Sequence, residues 1–456
     1  MLYEKHLSLI DERKDEFFEI SDALWNNPET SFEEHFACEL ITKKLEENGF
    51  KVTYNVAGIP TAFKATFGEG SPSLGILAEY DGLFGMSQEA GATNQKPIPG
   101  KDKNHSCGHH LFAGGSIAAL FAVKDYIEKT GKGKITLFGC PAEEGGGGKV
   151  FMARDGIFNE VESIVSWHPE KMYMVRTRPA LANVKIDYTF EGIAAHAGAA
   201  PEKGRSALDA LELMNIGANF LREHMDLTSR IHYAIMDAGG ESPNMVQSHA
   251  TVRYMIRATT AAGVNALKER VDRIAQGAAL MTDTTVSSSV NSAYSDLITI
   301  PTLQKTANEA MHDIPVPVAT EEEIAFARAL QETMMLTDEE RARPPFATEV
   351  FDPAPPVAHG GSTDTADVSW NCPTVQMHIA TWAIGTPGHS WYAEAQGKGS
   401  YAKKAMLYAG KCVAATLMRL YENPELIKQA KAEHKQKIGK GYVCGLPKDL
   451  KFSDLY

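Results

Sequence analysis

The stretch KITLFGCPAEEGGGG, residues 134–148, determines the fold expected for this chain. Its first part, Lys134–Cys140, is a short apolar run with β-branched residues that ends at a proline, as buried strands do. Its second part places two carboxylates, Glu143 and Glu144, in a glycine-flanked turn after that strand. In α/β proteins, ligands bind beyond the carboxyl ends of such strands. We therefore expect a site here.

The same pattern recurs on both sides of this stretch. Strands are predicted at Leu74–Glu79 and Ser163–His168, and a helix rich in small residues from about Gly108 to Lys129. The first fifty residues have the apolar spacing of two helices. Strands that alternate with helices of this length predict an α/β protein with a mixed sheet flanked by helices.

The predicted order of strands and helices changes in the middle of the chain. Residues 183–297 follow a strand-helix-strand-strand-helix-strand order, which is the ferredoxin-like α+β pattern. We therefore expect this domain to be inserted between two parts of one α/β domain, residues 1–182 and 298–456.

Composition and charge exclude several classes of function. The 456 residues carry 45 Lys and Arg against 58 Asp and Glu, a formal charge of −13, whereas nucleic-acid binders are basic. No apolar run approaches the roughly 18 residues of a membrane span, and the charged N-terminus does not resemble a signal peptide. Six cysteines are too sparse for a disulfide scaffold, so we expect thiols in a cytoplasmic protein.

Five side chains of ligand type stand in short loops next to glycine or proline, where they can point into a cleft. Any one of them alone is more often a packed side chain than a ligand. A thiol, imidazoles and a carboxylate together suit zinc, and manganese, cobalt or nickel are also compatible. Five ligands exceed the four of a closed site, which predicts two metals sharing a water. The candidates are Cys107, His109, Glu144, His168 and His389.

The adjacent carboxylates can take different tasks. We expect Glu144 to bind metal and Glu143 to act as the general base that deprotonates the water and later protonates the leaving amine. The alternative is a solvated acidic turn. Asp81 can orient a metal ligand from behind it, or it can form an ordinary Asp-Gly turn after a strand.

These motifs resemble the M20 metallopeptidase/amidohydrolase family, in particular its aminoacylase-like branch, which includes the IAA-amino acid hydrolases. Within that branch the chain looks most like the p-aminobenzoyl-glutamate hydrolases, through residues 25–30 and 362–370. The resemblance implies a zinc-peptidase-like catalytic domain with two metals and a lid domain that usually dimerises. The family motifs are Ala-Glu-Tyr-Asp (78–81), Cys-Gly-His (107–109), Pro-Ala-Glu-Glu-Gly (141–145), Trp-His-Pro (167–169), Gly-Ile-Ala-Ala-His-Ala (192–197), Gly-Arg-Ser-Ala-Leu-Asp-Ala (204–210), Asn-Met-Val (244–246) and Gly-Thr-Pro-Gly-His (385–389).

The resemblance also implies roles for residues of the lid. His196 is similar to a histidine that reaches an active site, generally that of the partner protomer, and stabilises the oxyanion. Asn244 and Arg257 resemble a pair that binds the terminal carboxylate of the substrate; without the family pattern, Arg253 on the same strand is an equal candidate. His110 departs from the family, which usually has Asp or Asn there, and can orient a neighbour, add a ligand or be a local substitution.

The activity implied is hydrolysis of the amide bond of an N-acyl or N-aroyl amino acid, with p-aminobenzoyl-glutamate as the expected substrate. The alternatives are a dipeptidase, a general N-acyl-amino-acid hydrolase, or a non-catalytic subunit of a heteromeric hydrolase. We expect a homodimer or a heteromer with a paralogous subunit, and neither nucleic acid nor membrane as a partner. The segment at about 313–358 looks longer than in common family members and has no assigned task.

Overall fold

The computed structural model describes residues 3–352 and 361–455, so the end of the predicted 313–358 segment, from residue 353, lies outside the described residues. None of the described helices is both long and apolar enough to cross a membrane. The described residues form two compact units. The first unit contains residues 3–178, 298–352 and 368–442, and the second contains residues 179–297, 361–367 and 443–455.

The elements are numbered in chain order. The strands are β1 (Lys51–Tyr54), β2 (Phe63–Gly68), β3 (Ser73–Glu79), β4 (Leu83–Phe84), β5 (Lys103–Asn104), β6 (Lys134–Cys140), β7 (Ser163–Glu170), β8 (Tyr173–Val175), β9 (Ala182–Glu191), β10 (Arg230–Asp237), β11 (His249–Ala258), β12 (Thr285–Tyr294), β13 (Val350–Phe351) and β14 (Thr374–Ala380). The helices are α1 (Glu4–Glu12), α2 (Lys14–Asn26), α3 (His35–Glu47), α4 (His109–Thr130), α5 (Gly148–Arg154), α6 (Ala207–Leu221), α7 (Ala261–Met281), α8 (Pro301–Asp313), α9 (Glu321–Gln331), α10 (Asp338–Ala342), α11 (Thr365–Asn371), α12 (Trp391–Gln396), α13 (Ser400–Glu422) and α14 (Pro424–Ile438).

The first unit is built around a mixed sheet, as the strand pattern predicts. Its eight described strands lie in the order β1-β2-β6-β3-β7-β14-β8-β13. The central strands β6, β3, β7 and β14 run parallel, and β3, β6 and β14 are buried along almost their whole length. Because the carboxyl ends of parallel strands meet at one edge of the sheet, the polar residues that follow them come together there.

The predicted small-residue helix is confirmed as α4, which packs between the sheet and α13. Its glycines permit this close packing: a Cβ added at Gly115 would lie 2.7 Å from the Trp167 ring and 3.0 Å from the Met406 carbonyl oxygen. The amino end of α4 carries the Cys-Gly-His motif. Packing of this helix against the sheet therefore fixes where that motif lies.

The expectation of two helices in the first fifty residues is wrong, because the structure has three. The first predicted helix is divided at Arg13, whose backbone leaves the helical region with ψ of 15°. Residues 11–15 are all charged. No apolar side chain can therefore anchor a continuous helix at this point, and α1 and α2 each bury their own apolar face.

The second unit has the predicted ferredoxin-like architecture. Strands β9 to β12 form an antiparallel sheet in the order β10-β11-β9-β12, and α6 and α7 pack against it and against each other. Burial alternates strictly along β11, as expected for a strand with only one face in the core. The predicted inserted domain, residues 183–297, lies within this unit.

Candidate metal centre

The five predicted metal ligands lie where elements of the first unit begin or end. Cys107 and His109 stand at the amino end of α4, and His168 is near the end of β7. Glu144 follows β6, and His389 follows β14. Glu144, His168 and His389 lie at or after the carboxyl ends of the parallel strands β6, β7 and β14. Their side chains therefore converge on the carboxyl edge of the sheet.

The ligand atoms come together in groups that share one thiol. Cys107, His109 and His168 form one group, and Cys107, Glu144 and His389 form another; within each group the atoms lie within 4.8 Å of one another. Cys107 Sγ is 3.6 Å from His168 Nε2, and His389 Nε2 is 3.2 Å from Glu144 Oε1. A third group contains His109, Glu144 and the predicted base, Glu143.

Unusual backbone conformations orient these side chains. Ala142 and His389 both have left-handed φ angles, 58° and 55°. Gly108 has a φ of 80°, and a Cβ there would lie 2.8 Å from Pro169. The Ala142 turn is held by the buried Glu34, whose Oε1 accepts the Ala142 N–H at 3.0 Å. A left-handed non-glycine residue costs about 1–3 kcal/mol, and such residues cluster at functional sites.

Asp81 connects two of the predicted ligands. Its Oδ1 lies 2.9 Å from His109 Nδ1, and its Oδ2 accepts the backbone N–H of Glu144 at 2.9 Å. A carboxylate beside Nδ1 favours the tautomer that leaves Nε2 available as a ligand atom. An ordinary Asp-Gly turn does not account for a buried carboxylate with these two contacts.

A buried ion pair borders His109, and no sequence pattern pointed to it. Lys149 Nζ lies 2.7 Å from Glu79 Oε1, and Glu79 Oε2 lies 3.1 Å from His109 Nε2. Burial raises the pKa of Glu79, but the charges of Lys149 and His109 outweigh burial and lower it. The end of β3 at Glu79 was visible in the sequence; the lysine that neutralises its carboxylate comes from α5, and only the fold brings it there.

Burial and neighbouring groups set the charges of the centre. Burial raises the pKa of Glu144, but the His389 imidazole and the charge of His109 outweigh it and lower this pKa to about 2. Burial lowers the pKa of His168 and raises that of the Cys107 thiol. The carboxylate and the neutral imidazole are ready to coordinate, and a metal ion would displace the thiol proton.

This donor set fits a divalent metal. Within the described residues, the buried atoms His109 Nε2 and Glu144 Oε1 make no well-aligned hydrogen bond, although Glu79 Oε2 and His389 Nε2 lie 3.1 and 3.2 Å away. Buried polar atoms normally have a partner. A thiol, imidazoles and a carboxylate match the ligands that zinc and similar ions take in proteins.

His110 belongs to none of the ligand groups formed by the described residues. It is fully buried, and its Nε2 lies 3.0 Å from the carbonyl oxygen of Gly397. Burial lowers its pKa to about 3, so the ring is neutral and donates to this carbonyl. Of the alternatives for this residue, the contact favours a role in holding a neighbouring loop.

His196 and Asn244 lie in adjacent loops of the second unit, where both side chains are exposed. The Ala197 N–H donates to the Asn244 carbonyl at 2.9 Å. His196 Nδ1 accepts the N–H groups of Gly198 and Ala199 at 3.2 and 3.1 Å. A neutral ring that accepts at Nδ1 carries its proton on Nε2, so His196 presents a hydrogen-bond donor to solvent.

The structure does not bring Asn244 and Arg257 together within one chain. Asn244 precedes β11 by five residues, whereas Arg257 is the next-to-last residue of that strand. At about 3.3 Å per residue, about 26 Å of strand separates its first residue, His249, from Arg257. One carboxylate can therefore contact both side chains only if they come from different copies of the chain.

The structure also distinguishes the two arginines of β11. Arg253 forms two hydrogen bonds with the Asp187 carboxylate, at 2.7 and 2.8 Å. Arg257 donates instead to the Ser362 hydroxyl at 2.8 Å and has no carboxylate within 4 Å among the described residues. An arginine without a carboxylate partner is the better binder of an incoming one.

Arg176 is a further cation of the first unit, directly after the short strand β8. No sequence pattern marks it as a functional residue. Its backbone N–H and its Nη1 donate to the carbonyl and the side-chain oxygen of Gln376, both at 2.9 Å. Gln376 shares one face of β14 with His378, which pairs with His168 at a ring distance of 6.4 Å. The guanidinium therefore lies on the sheet face of His168. Burial lowers its pKa, and the charge of Glu143 opposes this.

A mixed sheet whose strand ends gather a thiol, imidazoles and carboxylates is the architecture of a metal-dependent hydrolase. The chain belongs to peptidase family M20/M25/M40, whose profile matches residues 75–419. The resemblance drawn from the motifs is confirmed, and the chain is a hydrolase that acts on amide bonds.

Individual relatives extend this result. The chain is 40% identical to the B component of the p-aminobenzoyl-glutamate hydrolase of Escherichia coli (strain K12), over 98% of each protein, which confirms the resemblance to these hydrolases. It is 26% identical to the Xaa-Arg dipeptidase of Mus musculus, over 94% of this chain and 91% of that one. The Bacillus subtilis YXEP protein, a dinuclear metal binding peptidase of family M20, shares the fold with a TM-score of 0.60 and 17% identity, over 90% of this chain and 99% of that one.

Proposed function

We propose that this chain hydrolyses the amide bond of N-acyl or N-aroyl amino acids, with p-aminobenzoyl-glutamate as its substrate and p-aminobenzoate and glutamate as products. The observation that carries the proposal is the pair of ligand groups that share Cys107, with Glu143 beside them. The similarity to the Escherichia coli p-aminobenzoyl-glutamate hydrolase component along the whole chain supports the choice of substrate.

Two divalent ions, zinc or manganese, would be held by these groups. His109 and His168 would bind one ion, Glu144 and His389 the other, and Cys107 both. The chemistry that bound ions supply in such a site is polarisation of the amide carbonyl and acidification of water. Asp81 holds His109 and the Glu144 backbone in place for this purpose.

Glu143 is the proposed base. It adjoins Glu144 in sequence and lies in a group with Glu144 and His109, so its carboxylate would be within reach of a water activated at this site. Glu143 takes a proton from that water as the C–O bond forms, and returns it to the leaving nitrogen as the C–N bond breaks. The proton is conserved, so the base is regenerated after each turnover.

The second unit supplies the remaining groups. His196, with its proton on Nε2, would donate to the oxyanion, and Arg257 with Asn244 would bind the substrate carboxylate. Because about 26 Å of β11 lies between His249 and Arg257, and Asn244 precedes His249 by five residues, this assignment requires a second copy. We propose a homodimer, with a paralogous subunit as the alternative partner.

Arg176 supports a dicarboxylic leaving group. Glutamate has a second carboxylate, and Arg176 offers a guanidinium on the sheet face of His168, oriented by Gln376 and without an ion pair among the described residues. An arginine fork binds a carboxylate in a bidentate manner.

The sparse cysteines, with no disulfide among the described residues, further support a cytoplasmic enzyme.

A dipeptidase is the second candidate, favoured by the similarity to an Xaa-Arg dipeptidase. An Xaa-Arg dipeptidase would cleave an amide bond by the same chemistry, but the C-terminal residue of its substrate has a cationic side chain. Arg176 would repel that side chain, which is why we place this candidate second.

A substrate panel tests the proposal. The purified chain, loaded with zinc or manganese, is incubated alone with p-aminobenzoyl-glutamate, N-acetyl-glutamate and an Xaa-Arg dipeptide, and the products are separated by chromatography. We expect the highest kcat/KM for p-aminobenzoyl-glutamate, and a kcat lowered by about 10²–10⁴-fold in Glu143→Gln. The half-exposed Glu89, which pairs with Lys96 and belongs to no ligand group of the described residues, gives the matched control Glu89→Gln. Faster hydrolysis of the dipeptide, or no hydrolysis by the metal-loaded chain, would refute it.

A further inference from the structure

His389 lacks support from regular secondary structure. It lies in the loop 381–390 between β14 and α12, which we call the His389 loop, and its side chain is 54% exposed. Its left-handed φ of 55° is uncommon for a residue other than glycine, and Gly385 in the same loop has a φ of 87°. Neighbouring residues must therefore fix the position of the imidazole.

The segment 320–347, which we call the supporting segment, binds the His389 loop at its backbone. The Ile384 N–H donates to the Pro345 carbonyl at 2.7 Å, and Gln331 Nε2 donates to the Ile384 carbonyl at 2.9 Å. Gln331 is 3% exposed, and its own oxygen accepts from Arg328 Nη1 at 2.9 Å. Both backbone groups of one loop residue are thus bound by the same segment.

Side chains add two further contacts. Leu336 packs so closely on Gly385 that a Cβ there would overlap its side chain. The Tyr392 hydroxyl, three residues after His389, donates to the Thr333 carbonyl at 2.9 Å. The loop before the imidazole and helix α12 after it are therefore both bound by this segment, while the His389 N–H donates to the Ser106 carbonyl at 3.3 Å.

The supporting segment is itself well fixed. Its two helices, α9 and α10, both begin with capping boxes, formed by Thr320 with Glu323 and by Thr337 with Glu340. Arg328 Nη2 also donates to the Arg343 carbonyl, which ties α9 to the chain after α10. The capping boxes satisfy backbone N–H groups at the start of each helix, and the Arg328 contact links the two helices to each other.

We propose that the supporting segment is a positioning device for His389, acting through Gln331 and Ile384, and that it sets the affinity of one metal position without affecting the other. This rests on the proposed metal centre. Of the two ligand groups that share Cys107, only the one with Glu144 contains His389. The segment thereby gains a task that its sequence did not reveal.

Metal binding gives a direct test. Gln331→Leu removes the hydrogen bond to Ile384 and keeps the side-chain volume close to that of glutamine. Partners behind a metal ligand typically contribute 10–100-fold to affinity, so we expect about tenfold weaker zinc binding at one of the two positions and wild-type binding at the other. Tyr392→Phe removes only a partly exposed hydroxyl bond, and we expect a smaller loss at the same position.

Two controls separate positioning from general destabilisation. Tyr254→Phe removes a buried hydrogen bond to Asn215 in the second unit, and it should leave both zinc affinities unchanged. In a His389→Ala background, Gln331→Leu should produce no further loss of zinc affinity. Chelator competition on the apo chain measures each affinity, and thermal unfolding monitors the fold.

Equal weakening of both positions by Gln331→Leu, unchanged zinc affinity, or the same loss with and without His389 would overturn the inference. The readout needs no substrate. A chain that binds two ions with this pattern but hydrolyses none of the panel substrates would refute the proposed function and leave the positioning role intact.

Discussion

Replacing Asp81 by asparagine tests how the metal centre is held together. The wild-type carboxylate accepts two buried donors, the His109 ring N–H and the Glu144 backbone N–H, both at 2.9 Å. An asparagine amide has one accepting oxygen, so one donor must face an N–H group. Loss of a partner behind a metal ligand costs 10–100-fold in affinity, which is about 1.4–2.7 kcal/mol.

The assay is zinc affinity by chelator competition, with the melting temperature recorded in excess chelator. Asp125→Asn is the matched control, because Asp125 also contacts two side-chain donors, Lys129 and His6, but lies near the opposite end of α4 from His109. We expect weaker zinc binding and slower turnover for Asp81→Asn only. If Asp81→Asn binds zinc within about twofold of wild type, the reasoning that it fixes the ligands is wrong.

Four further outcomes follow from the structure. Glu143→Gln should lower kcat by about 10²–10⁴-fold while zinc stoichiometry stays unchanged by elemental analysis; turnover at the wild-type rate would contradict its role as base. Mixed dimers of Glu143→Gln and His196→Ala, each inactive alone, should regain activity, because one of their two sites then has both groups intact; no recovery after subunit exchange would exclude a contribution across copies. Arg176→Gln should raise KM for p-aminobenzoyl-glutamate but not for p-aminobenzoyl-glycine, and equal rises would show that Arg176 does not read the second carboxylate. Burial raises the pKa of Glu394 to about 8, although a hydrogen bond from the His105 N–H lowers it. The protonated Glu394 carboxyl therefore contributes its full stability below about pH 4.5, and this contribution is lost as the pH rises through about 8. Glu394→Gln should therefore raise the melting temperature at about pH 8 and not at about pH 5, and an equal shift at both would contradict the assignment.

The parts of the fold that were predictable are those with strong local patterns. The α4 helix and the strands β3, β6 and β7 follow from largely apolar runs, because a strand or helix covered on all sides buries mostly apolar residues. The division at Arg13 did not follow from the apolar spacing, since that spacing continues across it.

The candidate ligands were predictable for a related reason. Cys107, Glu144 and His389 stand beside glycine in motifs that recur in one family, and the informative signal is the whole set of five such side chains rather than any one of them. The Lys149–Glu79 pair and Arg176 have no such signature. Each acts through a partner distant in sequence, and nothing along the chain indicates which residues will meet.

The sequence by itself determined the fold class and the family, and it singled out the candidate metal ligands. Tertiary structure alone decided that Asp81 reaches both His109 and Glu144, that Asn244 and Arg257 stand at opposite ends of β11, and that the 320–347 segment supports the His389 loop. The physical reason is the separation along the chain over which each kind of interaction acts. Periodicity and turn chemistry act within a few residues, whereas hydrogen bonds between loops depend on how whole elements pack.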